Sequence, residues 1–400
     1  MKVEVRESDE ILGVRPRMAY APGSLEECAE VMTMAARDQL CLGFIGGGTA
    51  LDLGAAPKGL DAVVRTEQLA RIIEYAPADM VIVVEAGITL AALQAAARAH
   101  GQRLALDAPS PERATIGGLV ATAAFGPLRA RYGAVRDLII GVTLVRADGE
   151  VARGGGKVVK NVAGFDLPKL ACGSLGTLGL IAGAAFRLHP LPEATATVLA
   201  PRLGTEAVVA LVAAARNAQL EPASMVALRS FDRFELGVRF EGFARGVDQQ
   251  AARMVELAHA AGVPAARVTE RAEAAFWRRH DAVRAAAPLR VRVAGLPSRF
   301  PSIASLVARL GDFAWYPTVG VGFAGGEISE VTAAIAAVVA VRAGLVADGD
   351  SLVIEAAPAE LRAAVDPWGP TPPSFAIMER LKRRFDPQGR LNPGRFVGGL

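Results

Sequence analysis

Three glycine clusters constrain this 400-residue chain more than any other feature: Phe44-Ile45-Gly46-Gly47-Gly48-Thr49, Thr115-Ile116-Gly117-Gly118, and Gly173-Ser174-Leu175-Gly176-Thr177-Leu178-Gly179. Each follows or interrupts apolar, strand-like sequence, so the fold must place bare backbone where strands end. Glycine admits positive φ and lets N–H groups crowd around an anion. Three such loops predict a large phosphate-bearing cofactor gripped along its length.

A dinucleotide fingerprint of the βαβ kind needs G-x-G-x-x-G opening a helix, with an acid about 20 residues further on. Gly46 and Gly48 fill the first two positions and Glu67 has the spacing, but Leu51 stands where the third glycine belongs. Gly54 and Pro57 then end any helix after about one turn, too short for a crossover between parallel strands. The first cluster therefore reads as a loop that holds an anion without such a helix.

The length and a hydrophobic content of 52% allow two or three domains with sizeable cores. A net charge of +3 gives a nucleic-acid partner no support. The run Lys382-Arg383-Arg384 reads as a solvated helix face. Cys28, Cys41 and Cys172 are too far apart for a C-x-x-C unit, and an odd thiol suits a reducing compartment. No metal or cluster signature is present, so the metal expectation is none. The charged start Met1-Lys2-Val3-Glu4-Val5-Arg6-Glu7 is unlike a signal peptide. The apolar run Val331 to Val341 falls short of the roughly 18–20 residues that span a bilayer. The expected location is cytoplasmic, with at most a peripheral attachment at the inner membrane.

Ser24-Leu25-Glu26-Glu27 is a capping box for a helix to about Asp38. Short strands follow at Leu40 to Ile45, Ala62 to Arg65 and Met80 to Glu85, and a helix at Thr89 to His100. Asp148-Gly149 turns a hairpin between Leu138–Val145 and Glu150–Arg153. Past Pro190-Leu191-Pro192 the order becomes strand (Thr195–Leu199), helix (about Thr205–Ala218), strand (Ser224–Arg229), strand (Phe234–Phe240), helix (Asp248–Ala261), a ferredoxin-like pattern. A second set of strands and helices runs from about Arg290 to Ala343, without a visible internal repeat. Trp315-Tyr316-Pro317 could serve an interface or a core. The expected class is α+β, with boundaries at 1–192, 193–347 and 348–400.

These blocks resemble the flavoproteins of the vanillyl-alcohol oxidase and p-cresol methylhydroxylase (PCMH) type. The matching segments are Ile45 to Thr49, Pro109 through Thr115-Ile116-Gly117-Gly118 to Gly126, the Arg131-Tyr132-Gly133 step, Gly173 to Ile181, and Phe385-Asp386-Pro387 to Leu391-Asn392-Pro393-Gly394. The resemblance implies a PCMH-type FAD-binding domain of two α+β subdomains, a ferredoxin-like cap domain, and a C-terminal segment that returns to the FAD domain. Cofactor-binding residues follow from it: Ile45, Gly46, Gly47, Gly48, Thr49, Pro109, Thr115, Ile116, Gly117, Gly118, Ala121, Thr122, Gly126, Arg131, Gly176, Gly179, Ile181 and Asn392, the last at the flavin edge. Neither of the first two loops contains a cation, Arg113 being the nearest, so neutral amides would meet the pyrophosphate. No histidine adjoins the first loop and the cysteines sit in apolar surroundings, so the FAD is expected to be non-covalent.

Relatives that oxidise D-2-hydroxy acids carry a histidine-rich metal motif in the second domain. Here His100, His189, His259 and His280 stand isolated. Lys157, Lys160 and Asn161 lie in a stretch resembling one over the flavin of catalytic relatives. Lys160 and Asn161 are the catalytic candidates, and Arg278, Arg279 and Arg284 could add positive charge. The alternative is that these residues order the loop or meet solvent. Lys160 to Asp166 and Val365 to Gly369 carry a finer resemblance to the FAD-binding E subunits of bacterial glycolate oxidases. That likeness implies oxidation of glycolate or another small 2-hydroxy acid, beside a catalytic flavoprotein subunit and an iron–sulfur subunit. Two alternatives are a flavoprotein-like scaffold without chemistry of its own and a self-sufficient FAD-dependent 2-hydroxy-acid dehydrogenase.

Overall fold

A computed structural model describes residues 1–157, 164–285 and 287–400. They divide into two units: Met1–Phe125, Gly133–Pro190 and Pro370–Leu400 form the first, Gly126–Tyr132 and Leu191–Gly369 the second.

Among the described residues of the first unit, β1 (Lys2–Val3), β2 (Met18–Tyr20), β3 (Leu42–Ile45) and β4 (Ala62–Arg65) form a sheet in the order β1-β2-β4-β3. Strands β2, β4 and β3 are parallel. Parallel neighbours need a crossover, supplied between β2 and β3 by the helix Leu25–Arg37. Ser24 caps it, its Oγ accepting from Glu27 N–H at 3.2 Å, and its buried residues Cys28, Val31, Met32 and Ala35 recur at helical spacing. A second sheet is antiparallel throughout. It comprises β5 (Ile72–Ala76), β6 (Val81–Glu85) and, after a short β7 (Gln102–Arg103), β8 (Ile139–Val145), β9 (Val151–Gly155) and β10 (Leu180–Arg187), in the order β5-β6-β10-β8-β9. The expected hairpin is present, with Gly149 at φ +89° in the turn between β8 and β9. Alternate residues Ile82, Val84, Val142, Leu144, Ala184 and Phe186 bury one face of this sheet against helices Leu90–Arg98 and Ile116–Thr122. A final strand, β11 (His189–Pro190), pairs with β7.

The second unit holds eight strands among its described residues: β12 (Ala194–Leu203), β13 (Ser224–Ser230), β14 (Arg233–Gly242), β15 (Ala266–Arg267), β16 (Leu289–Ala294), β17 (Asp312–Tyr316), β18 (Val321–Gly326) and β19 (Ser351–Ala356). Their order is β15-β12-β14-β13-β17-β18-β16-β19. The strands β12 to β15, with helices Thr205–Asn217 and Ala244–Ala260, make the expected ferredoxin-like module. Strands β16 to β19, with helices Phe300–Val307 and Val331–Ala347, repeat the same order of elements and the same strand arrangement. The reading of no internal repeat is thus corrected at the level of topology. The copies join through β13 and β17, where Ala227 faces Trp315 and Leu228 faces Ala314. Trp315 and Tyr316 are fully buried, and Trp315 stacks on Phe300 with centroids 5.8 Å apart, so this pair belongs to the core and offers no interface.

Candidate cofactor site

Strand β3 delivers the chain directly into Gly46, and Gly48 turns it at φ +68°. Turns fill residues 49–54 and no helix follows the first cluster. A Cβ on Gly46 would overlap Thr115 Oγ1, and one on Gly47 would overlap the Arg113 carbonyl oxygen. The first loop therefore lies against the Arg113 backbone and the Thr115 side chain at the start of the second. Arg113 places its guanidinium on this pair by donating to Gly47 O at 3.3 Å.

The second cluster does open a helix, Ile116–Thr122, although a short one. Thr115 is its buried N-cap, Oγ1 accepting from Gly118 N–H at 3.4 Å. Gly117 donates to Ala86 O at 2.7 Å, an approach that a side chain would block because its Cβ would sit 2.8 Å from that of Ala86. Thr122 donates to Gly118 O at 2.8 Å, while Ala121 is half-buried beside it. Pro109 is half-buried ahead of the turn at Ser110.

In the third cluster Leu175 and Gly176 both adopt positive φ, and Gly179 leads into β10, where Ile181 pairs with Leu144. A Cβ on Gly176 would stand 2.7 Å from Asn392 Nδ2 and 2.8 Å from the Phe44 ring. The first loop, the third loop and the C-terminal segment thus converge. Asn392 is 4% exposed and donates its amide to Leu175 O at 2.8 Å. Lys382 is likewise buried, which corrects the solvated-face reading for this residue, while Arg383 and Arg384 of the same run are exposed. The Lys382 ammonium donates to Thr177 O and Leu391 O, both at 2.9 Å, and pairs with Asp386 at 2.7 Å. Burial pushes the Lys382 pKa down while Asp386 opposes that shift.

Other expected residues fall elsewhere. Gly126 and Arg131 belong to the second unit, where Arg131 donates to the carbonyls of Glu221 (3.0 Å) and Glu241 (3.1 Å). Lys160 and Asn161 lie outside the described residues. Of the arginines named from sequence, Arg279 pairs with Glu235, and Arg284 lies 4.7 Å from the Phe323 ring centroid. Burial pushes the thiols of Cys28 and Cys172 up to about 12, so both stay protonated near neutrality. A groove of about 680 Å³ on the second sheet, with Arg71, Thr143, Arg153 and Gly183 in its walls, includes none of the expected cofactor residues.

Residues 16–155 match the family described as the FAD binding domain, and residues 369–396 match the C-terminal domain of the FAD linked oxidases. The chain thus carries domains of both of these flavoprotein families. Its cofactor is FAD. The glycolate oxidase subunit GlcE of Escherichia coli is 33% identical over 214 residues, covering 53% of this chain and 59% of that protein. The D-lactate dehydrogenase of Archaeoglobus fulgidus is 36% identical over 182 residues, 44% of this chain and 41% of the relative. The chain spans about half the length of the curated relatives it matches. In fold it is similar to p-cresol methylhydroxylase (TM-score 0.73, 15% identity, 95% of this chain and 88% of that one). It is also similar to alkyldihydroxyacetonephosphate synthase (TM-score 0.73, 17% identity, 96% and 78%). No helix among the described residues is long and apolar enough to cross a membrane.

Proposed function

We propose that this family member is the FAD-holding subunit of an assembly that oxidises glycolate or a related small 2-hydroxy acid to the 2-oxo acid. The substrate gives up two electrons and two protons, and the electrons leave through an iron–sulfur partner beside a catalytic flavoprotein subunit. The observation that carries the reading is the close seam where Gly46 and Gly47, themselves without side chains, meet Arg113 to Thr115. Backbone N–H groups there can meet a pyrophosphate at close range, as neutral donors in a nest. Ile45 to Thr49 and Thr115 to Gly118 would hold the phosphates. Pro109, Ala121, Thr122, Gly176, Gly179 and Ile181 would line the remainder. Bound FAD supplies the two-electron acceptor. Suppressed thiolates at Cys28 and Cys172 favour non-covalent binding. The relatives named for glycolate, D-lactate and D-2-hydroxyglutarate support the substrate class.

A second reading, a flavoprotein-like scaffold for a catalytic partner, draws on the histidines. His100 packs edge-on against Tyr75, His259 contacts Ala265 O at 3.1 Å, and His280 contacts Tyr316 Oη at 2.6 Å, so each is engaged inside its own unit. The visible spectrum of the purified chain, repeated on the supernatant after acid precipitation and then with anaerobic glycolate, separates the readings. Flavin released by acid is expected. Bleaching by glycolate makes the chain catalytic alone, resistance to bleaching points to a flavin fed by a partner, and absence of flavin after reconstitution leaves the scaffold.

A further inference from the structure

We propose that the C-terminal residues Lys382, Asn392 and Arg395 are positioning residues that set the peptide planes of the third glycine loop and of the turn just past the first for cofactor binding. The proposal rests on the reading that these loops hold FAD.

All three side chains are at least nine-tenths buried, and each donates to backbone carbonyls of the loops or their immediate flanks. Asn392 takes Leu175 O at 2.8 Å and Lys382 takes Thr177 O at 2.9 Å, both in the third cluster. Arg395 takes Leu51 O at 2.8 Å and Leu53 O at 2.6 Å, just past the first cluster. The entry to the first cluster is fixed by the same segment: Leu42 N–H donates to Arg390 O and Asn392 N–H to Leu42 O, both at 2.8 Å.

A trans peptide is planar, so its C=O and N–H point in opposite directions. Pinning the carbonyls of Leu175 and Thr177 toward the C-terminal segment therefore turns the N–H groups of Gly176 and Leu178 the other way. The glycines make these loops permissive in φ. Without an external grip, the same freedom would let their peptides flip and present carbonyl oxygens to an anion. Cationic and amide donors supply that grip, hydrogen bonds from charged donors being the stronger ones.

The test compares Asn392→Gly, Arg395→Met and the double variant K382M/D386N with Gly47→Val. Glycine tolerates the φ of +45° at position 392, and the double variant removes both buried charges together, so neither change strands a partner in a strained or ionised state. The readouts are FAD affinity, the absorption maxima and reduction potential of the bound flavin, and thermal unfolding of the flavin-free protein. Each clasp variant is expected to weaken FAD at least tenfold in its folded fraction and to shift the bound spectrum or potential, whatever stability the flavin-free protein loses. Wild-type affinity and spectrum in the clasp variants, with FAD lost from Gly47→Val, would overturn the clasp and leave the loops as the site. So would variants that unfold earlier yet bind FAD unchanged in their folded fraction. FAD retained by Gly47→Val would remove the underlying site assignment instead.

Discussion

The two units are held together in different ways. The second is built around one continuous apolar core that runs from Ala196 to Val365 and includes Leu236, Phe240, Phe300, Phe313 and Trp315. The first divides its apolar residues among smaller clusters, one under each sheet and one around Ile11 and Leu60. Between them it relies on buried polar groups that reach far along the sequence. Arg390 alone donates to Ala35 O, Leu40 O and Ala147 O at 3.0, 3.2 and 2.8 Å. Loops that must expose bare backbone cannot be covered by apolar side chains, so hydrogen bonds order them instead. The comparison assigns geometry of the cofactor loops to the polar unit and bulk packing to the apolar one.

The sharpest way to break that division is Gly47→Val. Its new Cβ would overlap the Arg113 carbonyl, so equilibrium dialysis should show FAD binding abolished. In the second unit, Phe300→Ala should cost about 3–5 kcal/mol in chemical unfolding, with FAD content per folded molecule unchanged. If Phe300→Ala empties the flavin site as Gly47→Val does, the division fails. Arg390→Met leaves three buried carbonyls without their donor and should cost about 3 kcal/mol in the same unfolding measurement, against little for an exposed arginine such as Arg253.

Buried histidines sharpen the comparison through pH. Burial lowers the pKa of His280, with Asp281 opposing and Arg284 adding to the shift, and it lowers that of His189 in the first unit. Each unfolded histidine then binds a proton more readily than the folded one. Stability is therefore full above the unfolded pKa near 6.5 and falls as pH drops below it, by at most about 1.4 kcal/mol per pH unit and histidine. Melting curves between pH 5 and 8 should show this slope, reduced in His280→Gln. The smallest effect is expected from Ser24→Ala, which removes one helix cap and should cost about 1 kcal/mol.

Much of this was legible in the sequence, because backbone requirements leave local marks. The N-cap at Ser24, the Asp148-Gly149 hairpin, the strands and the ferredoxin-like pattern after Pro192 all follow from residue type and period, although Glu27 reaches Gly23 N–H and does not close a capping box on Ser24. The glycine clusters pointed to the loops, since few residues other than glycine tolerate the approaches at Gly46, Gly47 and Gly117. What stayed hidden depends on pairing at a distance. Lys382 reads as part of a solvated basic run until its helix phase is tied to Asp386 and Thr177. Trp315 and Tyr316 point to opposite faces of one strand, and only a sheet covered on both sides buries both. The second ferredoxin-like copy escaped notice because its topology is specified by alternation of apolar residues, which two unrelated strings satisfy equally.

That duplicated module carries a consequence for how the second unit came to exist as one body. Two small sandwiches that meet strand to strand across so short a register would, as separate chains, form a weak, concentration-dependent pair. Tethering turns their encounter into an intramolecular event, with an effective concentration in the millimolar range for short linkers. The residue pairs Ala227–Trp315 and Leu228–Ala314 then close the seam together with the apolar core that both halves share. Each half is consequently free to diverge in sequence on its outer surfaces, since neither must recognise its twin from solution.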